Sequence, residues 1–264
     1  MTQPPRRITS ADNPLLRGVV ELTRSARERR RQGLSVLEGI HLCEAWRQHH
    51  GPPRTAVVSD GGLAHPEVAA LLARQALPPV VVTDALFAAI STLQHAVGIA
   101  FVVETPRPPL PGRLDTDALY LDRIQDPGNV GTLLRTAAAA GVRRVLTASG
   151  TAWCWSPKVL RAGMGAHFVL SIHEAVPWEA VRERLAVEAI GTRADDAPSL
   201  YSVDLRPPAL WLLGNEGAGL ADEIAPDLRR WVRIPQAGGV ESLNVAAAAA
   251  VCLFEQRRQR DPRA

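Results

Sequence analysis

The stretch from Leu210 to Glu255 constrains this chain more than any other. An apolar run, Leu210-Trp211-Leu212-Leu213, stops at the turn Gly214-Asn215-Glu216-Gly217-Ala218-Gly219. A second short apolar run stops at Ile234-Pro235. A polar loop, Gly238-Gly239-Val240-Glu241-Ser242-Leu243-Asn244, then enters an Ala-rich helix, with Ser242 or Asn244 as its N-cap. Strand ends followed by glycine turns expose backbone groups with few side chains in the way. That pattern suits a small polar ligand held at close range.

Upstream, apolar runs alternate with amphipathic ones. Residues 1–12 form a polar, loosely held start. Leu15, Leu16, Val19, Val20 and Leu22 predict a helix from Asn13-Pro14. It runs into the charge cluster Arg24–Arg31. Strands are expected at 33–39, 55–59, 80–83 and 98–104. Helices are expected from Ile40, over 66–76, and from an Asp84 cap to Ile90. Four prolines within Pro106–Pro111 exclude a helix or a central strand there. The reading is therefore a small α/β domain over 1–104, a proline-rich linker over 105–115 and a second domain over 116–264.

In the second domain, strands are expected at 118–122, 143–148, 168–171, 187–192, 209–213 and 231–234. Asn129 is taken as the cap of a helix ending at Gly141. A further helix starts at Pro157 after Ser156, and another covers 177–185. Strands alternating with helices imply an α/β fold with a mostly parallel sheet and ligands at the strand C-termini.

Charge sharpens the reading. The net charge is only +3, yet the pI is near 9.1, and Lys158 is the single lysine among 30 basic residues. Arginine suits bidentate anion recognition, and a GC-rich genome that favours Arg codons gives the same composition. Three scattered cysteines offer neither zinc spacing nor a disulfide framework, which suits the cytoplasm. No signal peptide and no membrane span is legible.

Three clusters carry polar chemistry in order: Asn129-Val130-Gly131-Thr132-Leu133-Leu134-Arg135, then Leu213-Gly214-Asn215-Glu216-Gly217, then Ile234-Pro235 with Glu241-Ser242-Leu243-Asn244. Singly they read as a helix start, a turn and a helix cap. Together they resemble the signature motifs of the SpoU, or TrmH-like, branch of the SPOUT RNA methyltransferases. Ser156–Ala166 matches a further family segment. Arg27–Trp46 resembles the N-terminal substrate-binding domain that many members carry.

The resemblance implies a C-terminal trefoil knot, an exception to the rule that chains do not thread loops. It also implies S-adenosylmethionine as cofactor and methyl transfer to a ribose 2′-hydroxyl of RNA, with ribosomal RNA favoured over transfer RNA. Gly214, Ile234 and Leu243 match cofactor-contacting positions, and Leu213 and Thr192 extend that set. Arg135 matches the catalytic arginine, with Asn129, Glu216, Ser242 and Asn244 around it. The donor is already activated, so no metal is required. Arg27, Arg29, Arg30, Arg31, Lys158 and Arg161 are candidate RNA contacts. A homodimer through the C-terminal domain is implied, with the helix over 244–255 in the interface. A dehydrogenase or classical Rossmann enzyme would need its glycine loop after the first strand, and here it follows a late one. A family member that binds RNA without catalysis is the competing reading.

Overall fold

The structure is a computed structural model that describes residues 5–74, 78–193, 196–237 and 242–261. The chain divides into two compact units. One comprises residues 1–106 with 155–160, and the other residues 107–154 with 161–264.

The first unit runs β1 (Arg6–Ile8), α1 (Pro14–Arg24), α2 (Ala26–Gln32), β2 (Leu34–Glu38), α3 (Ile40–His50), β3 (Thr55–Ser59), α4 (Asp60–Ala64), α5 (Pro66–Ala73), β4 (Val80–Val82), α6 (Asp84–Ile90) and β5 (Ile99–Glu104). Its sheet has the order β1-β4-β3-β5-β2. β1, β4 and β3 are parallel, and β5 is antiparallel to both β3 and β2. The supposedly loose start thus contributes a strand: Arg6–Ile8 pairs with Val80–Val82, and Ile8 is buried in the core with Leu16, Val36 and Val82. Three residues are too few to show an alternating pattern.

The charge run is not one solvated helix. Ser25 breaks it, capping α2 by accepting from the Glu28 N–H. Arg29 is only 5% exposed. Its guanidinium donates to the Leu22 and Thr23 carbonyls at 2.6 and 3.0 Å, tying off the end of α1. Arg29 is therefore withdrawn as an RNA contact. Arg27, Arg30 and Arg31 are exposed, and Arg31 also pairs with Glu28. Thr83 rather than Asp84 caps α6, its hydroxyl accepting from the Leu86 N–H. The expected helix over 66–76 ends at Ala73, and residues 75–77 lie outside the described ones.

The second unit runs β6 (Ala118–Leu121), α7 (Pro127–Ala140), β7 (Arg144–Thr147), α8 (Pro157–Gly163), β8 (Ser171–His173), α9 (Trp178–Arg182), β9 (Glu188–Thr192), β10 (Ala209–Leu213), β11 (Arg230–Val232) and α10 (Val245–Arg260); the first residues of α8 belong to the first unit. The sheet is wholly parallel, in the order β11-β9-β10-β6-β7-β8. Tyr120, Leu146, Leu210 and Leu212 from three strands share one core cluster with Trp178 and Val181 of α9. The strand expected over 168–171 begins only at Ser171, because Ala166–Val169 winds into a 3-10 turn. Leu114, placed in the linker by its neighbours, is fully buried and bonded to Arg184 and Ala186.

The C-terminal helix is fastened along its length. Gln256 is buried and accepts from the Trp211 indole N–H at 2.9 Å. Gln259 accepts from the Leu205 N–H and donates to the Val203 carbonyl. A helix so anchored fixes the position of whatever caps its other end.

Candidate active site

The C-terminal ends of β6 and β10 lie side by side in the second sheet. The chain fills β7 and β8 on one side, then returns to place β9, β10 and β11 on the other. Such a switch point leaves a crevice at the strand ends. Two loops leave it: residues 122–126 ahead of α7, and the turn after β10. The third arrives as the start of α10.

Asp126, not Asn129, caps α7: its carboxylate accepts from the Asn129 N–H at 2.9 Å, with Pro127 in the first turn. The Asp-Pro pair carries this signal in the sequence. The shift has two consequences. The Asn129 side chain is released from capping, and Arg135 falls in the third turn of the helix. The helix macrodipole fades beyond one turn, so it does not act on Arg135.

The freed Asn129 amide joins the three loops. Its Nδ2 donates to Glu216 Oε1 at 2.9 Å, and its Oδ1 accepts from Asn244 Nδ2 at 3.0 Å. The Glu216 carboxylate also accepts from the Gln125 and Asp126 N–H groups at 3.3 and 3.4 Å. Burial pushes the Glu216 carboxyl up, but the hydrogen bonds from Asn129 and the backbone N–H groups outweigh it and hold it below its usual range. Asn244 is the true cap of α10, accepting from the Ala246 and Ala247 N–H groups.

Asn215 shapes the turn that presents Glu216. Its Oδ1 accepts from the Gly217 and Ala218 N–H groups, both at 3.0 Å, and its Nδ2 donates to the Arg123 carbonyl at 2.9 Å. Gly214 leaves no space for a side chain: an added Cβ would sit 2.3 Å from the Gly219 carbonyl carbon.

One strand over, Thr192, Arg193, Ile234, Gln236, Ser242, Leu243 and Ala248 line a cleft of about 140 Å3. Val232 pairs with Thr192 in register, so the ends of β9 and β11 set its walls. The Arg193 guanidinium stacks 4.3 Å from the centroid of the Trp231 ring. Leu213 is buried, and its carbonyl accepts from the Asp122 N–H at 2.8 Å.

The structure thus joins Asn129, Glu216 and Asn244 directly, and gathers Thr192, Ile234, Ser242 and Leu243 around one cleft. Leu213 and Gly214 stand at the neighbouring strand end. Arg135 is exposed and makes no hydrogen bond or ion pair among the described residues. Six residues separate it from Asn129, about 120° around the helix. Lys158 is exposed and Arg161 half-buried on α8. Residues 238–241 of the third motif, with Glu241, lie outside the described residues. The sequence reading passed over Asp122, Arg123, Arg193 and Gln236. Asp122, a carboxylate closing a buried strand, was the one with a visible signal.

Comparison with known proteins agrees with this geometry. Residues 118–254 match the SpoU rRNA Methylase family. An uncharacterized tRNA/rRNA methyltransferase of Synechocystis is 33% identical, over 96% of this chain and 93% of its own length. The 23S rRNA (guanosine(2553)-2′-O)-methyltransferase RlmP of Bacillus subtilis is 28% identical, over 96% of this chain and 99% of its own. An AdoMet-bound rRNA methyltransferase from Sinorhizobium meliloti superposes with a TM-score of 0.83 at 28% identity, covering 96% of this chain and 97% of that one. The SpoU methyltransferase AviRb from Streptomyces viridochromogenes, also in complex with AdoMet, gives 0.82 at 27% identity, covering 94% and 99%. A small N-terminal α/β unit followed by a parallel sheet is the arrangement of the SPOUT trefoil-knot proteins. With the motif loops joined as they are, the chain belongs to the SpoU rRNA methylase family.

Proposed function

We propose that this chain transfers a methyl group from S-adenosylmethionine to a ribose 2′-hydroxyl of RNA, with ribosomal RNA as the substrate. One observation carries the proposal. Asn129, Glu216 and Asn244, separated by 87 and 115 residues, are hydrogen-bonded into one polar cluster. Asn244 directly follows Ser242 and Leu243, which line the adjacent cleft. Relatives that methylate guanosine 2′-hydroxyls of 23S rRNA, and AdoMet-bound neighbours, support the reading.

The cleft fits a nucleoside-type cofactor. Ile234 and Leu243 offer apolar walls, and Thr192 and Ser242 offer hydroxyls. The Gln236 side-chain amide oxygen, Oε1, is shielded from solvent and has no hydrogen-bond partner among the described residues, which leaves an acceptor for an amine. Thr192, Ile234 and Leu243, with Leu213 and Gly214 beside them, would hold the donor. When bound, it supplies a methyl already activated on a sulfonium.

The protein's part is positioning and charge. Asn129 is held through its oxygen by Asn244 and through one N–H by Glu216. Its second Nδ2–H remains for a substrate oxygen. Glu216 is ionised at neutral pH, so it orients Asn129 and is a weak proton acceptor. The role of Arg135 is to hold a phosphate or steady the developing alkoxide. Ser242 shapes the loop between the two. Arg27, Arg30, Arg31, Lys158 and Arg161 contribute the salt-dependent part of RNA affinity.

The same reading includes a homodimer through the C-terminal domain, supported by Phe254, 46% exposed on α10, and a cytoplasmic location. Among the described residues no helix is long and apolar enough to cross a membrane.

Arg135→Ala tests the assignment. Methyl transfer to ribosomal RNA should fall by roughly a hundredfold or more, while calorimetric donor affinity stays within about twofold. Turnover near the unmodified rate would remove Arg135 from its role.

A further inference from the structure

Glu216 is carried by a glycine turn, an element that should be mobile on its own. In this structure a single residue outside the three motif clusters brackets that turn. The Asp122 backbone N–H donates to the Leu213 carbonyl at 2.8 Å, just before the turn. Its carboxylate Oδ2 accepts from the Ala221 N–H, also at 2.8 Å, just after it. Asp122 is 2% exposed, so the carboxylate is committed to these partners. Its charge is balanced by Arg123, whose Nε and Nη2 lie 3.0 and 3.1 Å from the two oxygens.

Arg123 in turn sits at φ +57°, an unfavourable conformation for a long side chain. That conformation aims its carbonyl at Asn215 Nδ2, 2.9 Å away. The middle of the turn is closed by paired Asn215 and Gly219 backbone bonds, both 2.9 Å. The turn is thereby clamped at its start, centre and end to the two residues that follow β6, and that loop also supplies the Gln125 and Asp126 N–H groups that meet Glu216.

We infer that Asp122 is a positioning residue for the reaction, holding Glu216, and through it Asn129, in register with the substrate ribose. The inference rests on the methyl-transfer reading above. A buried carboxylate with only a stabilising role would affect the whole domain. A bracket acts on one loop and, through it, on one catalytic group.

The experiment compares Asp122→Ala and Asp122→Asn, each alone and combined with Glu216→Gln. Asp122→Ala should lower kcat roughly ten- to a hundredfold, as misplacement of about an ångström does, with donor affinity within about twofold. Asp122→Asn keeps an acceptor for the Ala221 N–H and should lose less. On the Glu216→Gln background, Asp122→Ala should cost less than about threefold, because the two changes act through one group. Amide exchange over residues 214–221 should accelerate about tenfold or more, with β6 and β10 unaffected.

Equal losses with and without Glu216 would overturn the inference. So would unchanged exchange over 214–221, or global acceleration across the sheet. A Glu216→Gln variant that turns over normally would overturn the assigned role of Glu216; the exchange measurement, which needs no activity, would then still decide whether Asp122 brackets the turn.

Discussion

The loops after β6 and β10 differ sharply from the cleft between β9 and β11, although both stand at the same edge of one sheet. The first region is knitted from within. Glu216, Asn129, Asn244, Asn215 and Asp122 spend their hydrogen bonds on one another or on nearby backbone. The second is left open: Leu243 is 38% exposed, and Gln236 Oε1 is an acceptor without a donor among the described residues. A preorganised site must fix the groups that face developing charge before substrate arrives. A donor-binding cleft can leave contacts for the ligand to complete. Under the proposed function, the knitted region positions the reacting groups and the open one retains the donor.

Gly214→Ala should strike hardest, because it attacks the seam between them. The added methyl would meet the Gly219 and Leu220 backbone at 2.3–2.6 Å, and backbone cannot step aside cheaply. We expect a loss of roughly 1–3 kcal/mol in stability, read by denaturant titration, with donor affinity and turnover falling together. An unaffected turnover would mean that the turn is not the seam.

Leu243→Ala probes the open region alone. Donor affinity should weaken roughly tenfold, with thermal stability nearly unchanged because the side chain is partly exposed. A large stability loss would place Leu243 in the scaffold and blur the contrast.

The smallest effect is a pH response confined to the knitted region. Glu216 has its folded-state pKa held below the unfolded one. As pH falls through the ordinary carboxylate range, the unfolded chain takes a proton that the folded chain refuses. The stabilisation is thus present above that range and fades as pH drops through the lowered folded value. Glu216→Gln should flatten this part of an acid stability profile. An identical slope in the variant would assign it to other carboxylates.

Much of this was legible in the chain. The runs 118–122, 187–192 and 209–213 had the length and flanking turns of buried strands, so the parallel α/β class followed. The motif loops were visible because strand ends, glycines and caps occurred together. What escaped depended on partners distant in sequence. Arg29 looked like its neighbours, since nothing in an arginine run marks the one that turns back onto the Leu22 and Thr23 carbonyls. Ser25 and Glu28 did carry a capping-box spacing that announced the break. Asp126 escaped because Asn129 is also a good cap, and the choice required weighting Pro127 at the first helical position. That choice adds three residues, just under one turn, ahead of Arg135 and sets it beyond the reach of the helix macrodipole. Asp122 could not be recognised as a bracket, because its partners lie 91 and 99 residues away.

The most direct test of the central claim is to map where the methyl lands. Ribosomal RNA is incubated with the protein and labelled S-adenosylmethionine, and the product is read by resistance to alkaline cleavage. The account predicts label at one ribose whose 3′ linkage becomes alkali-resistant, abolished by Arg135→Ala. Label on a base, or donor binding with no transfer to ribose, would contradict it.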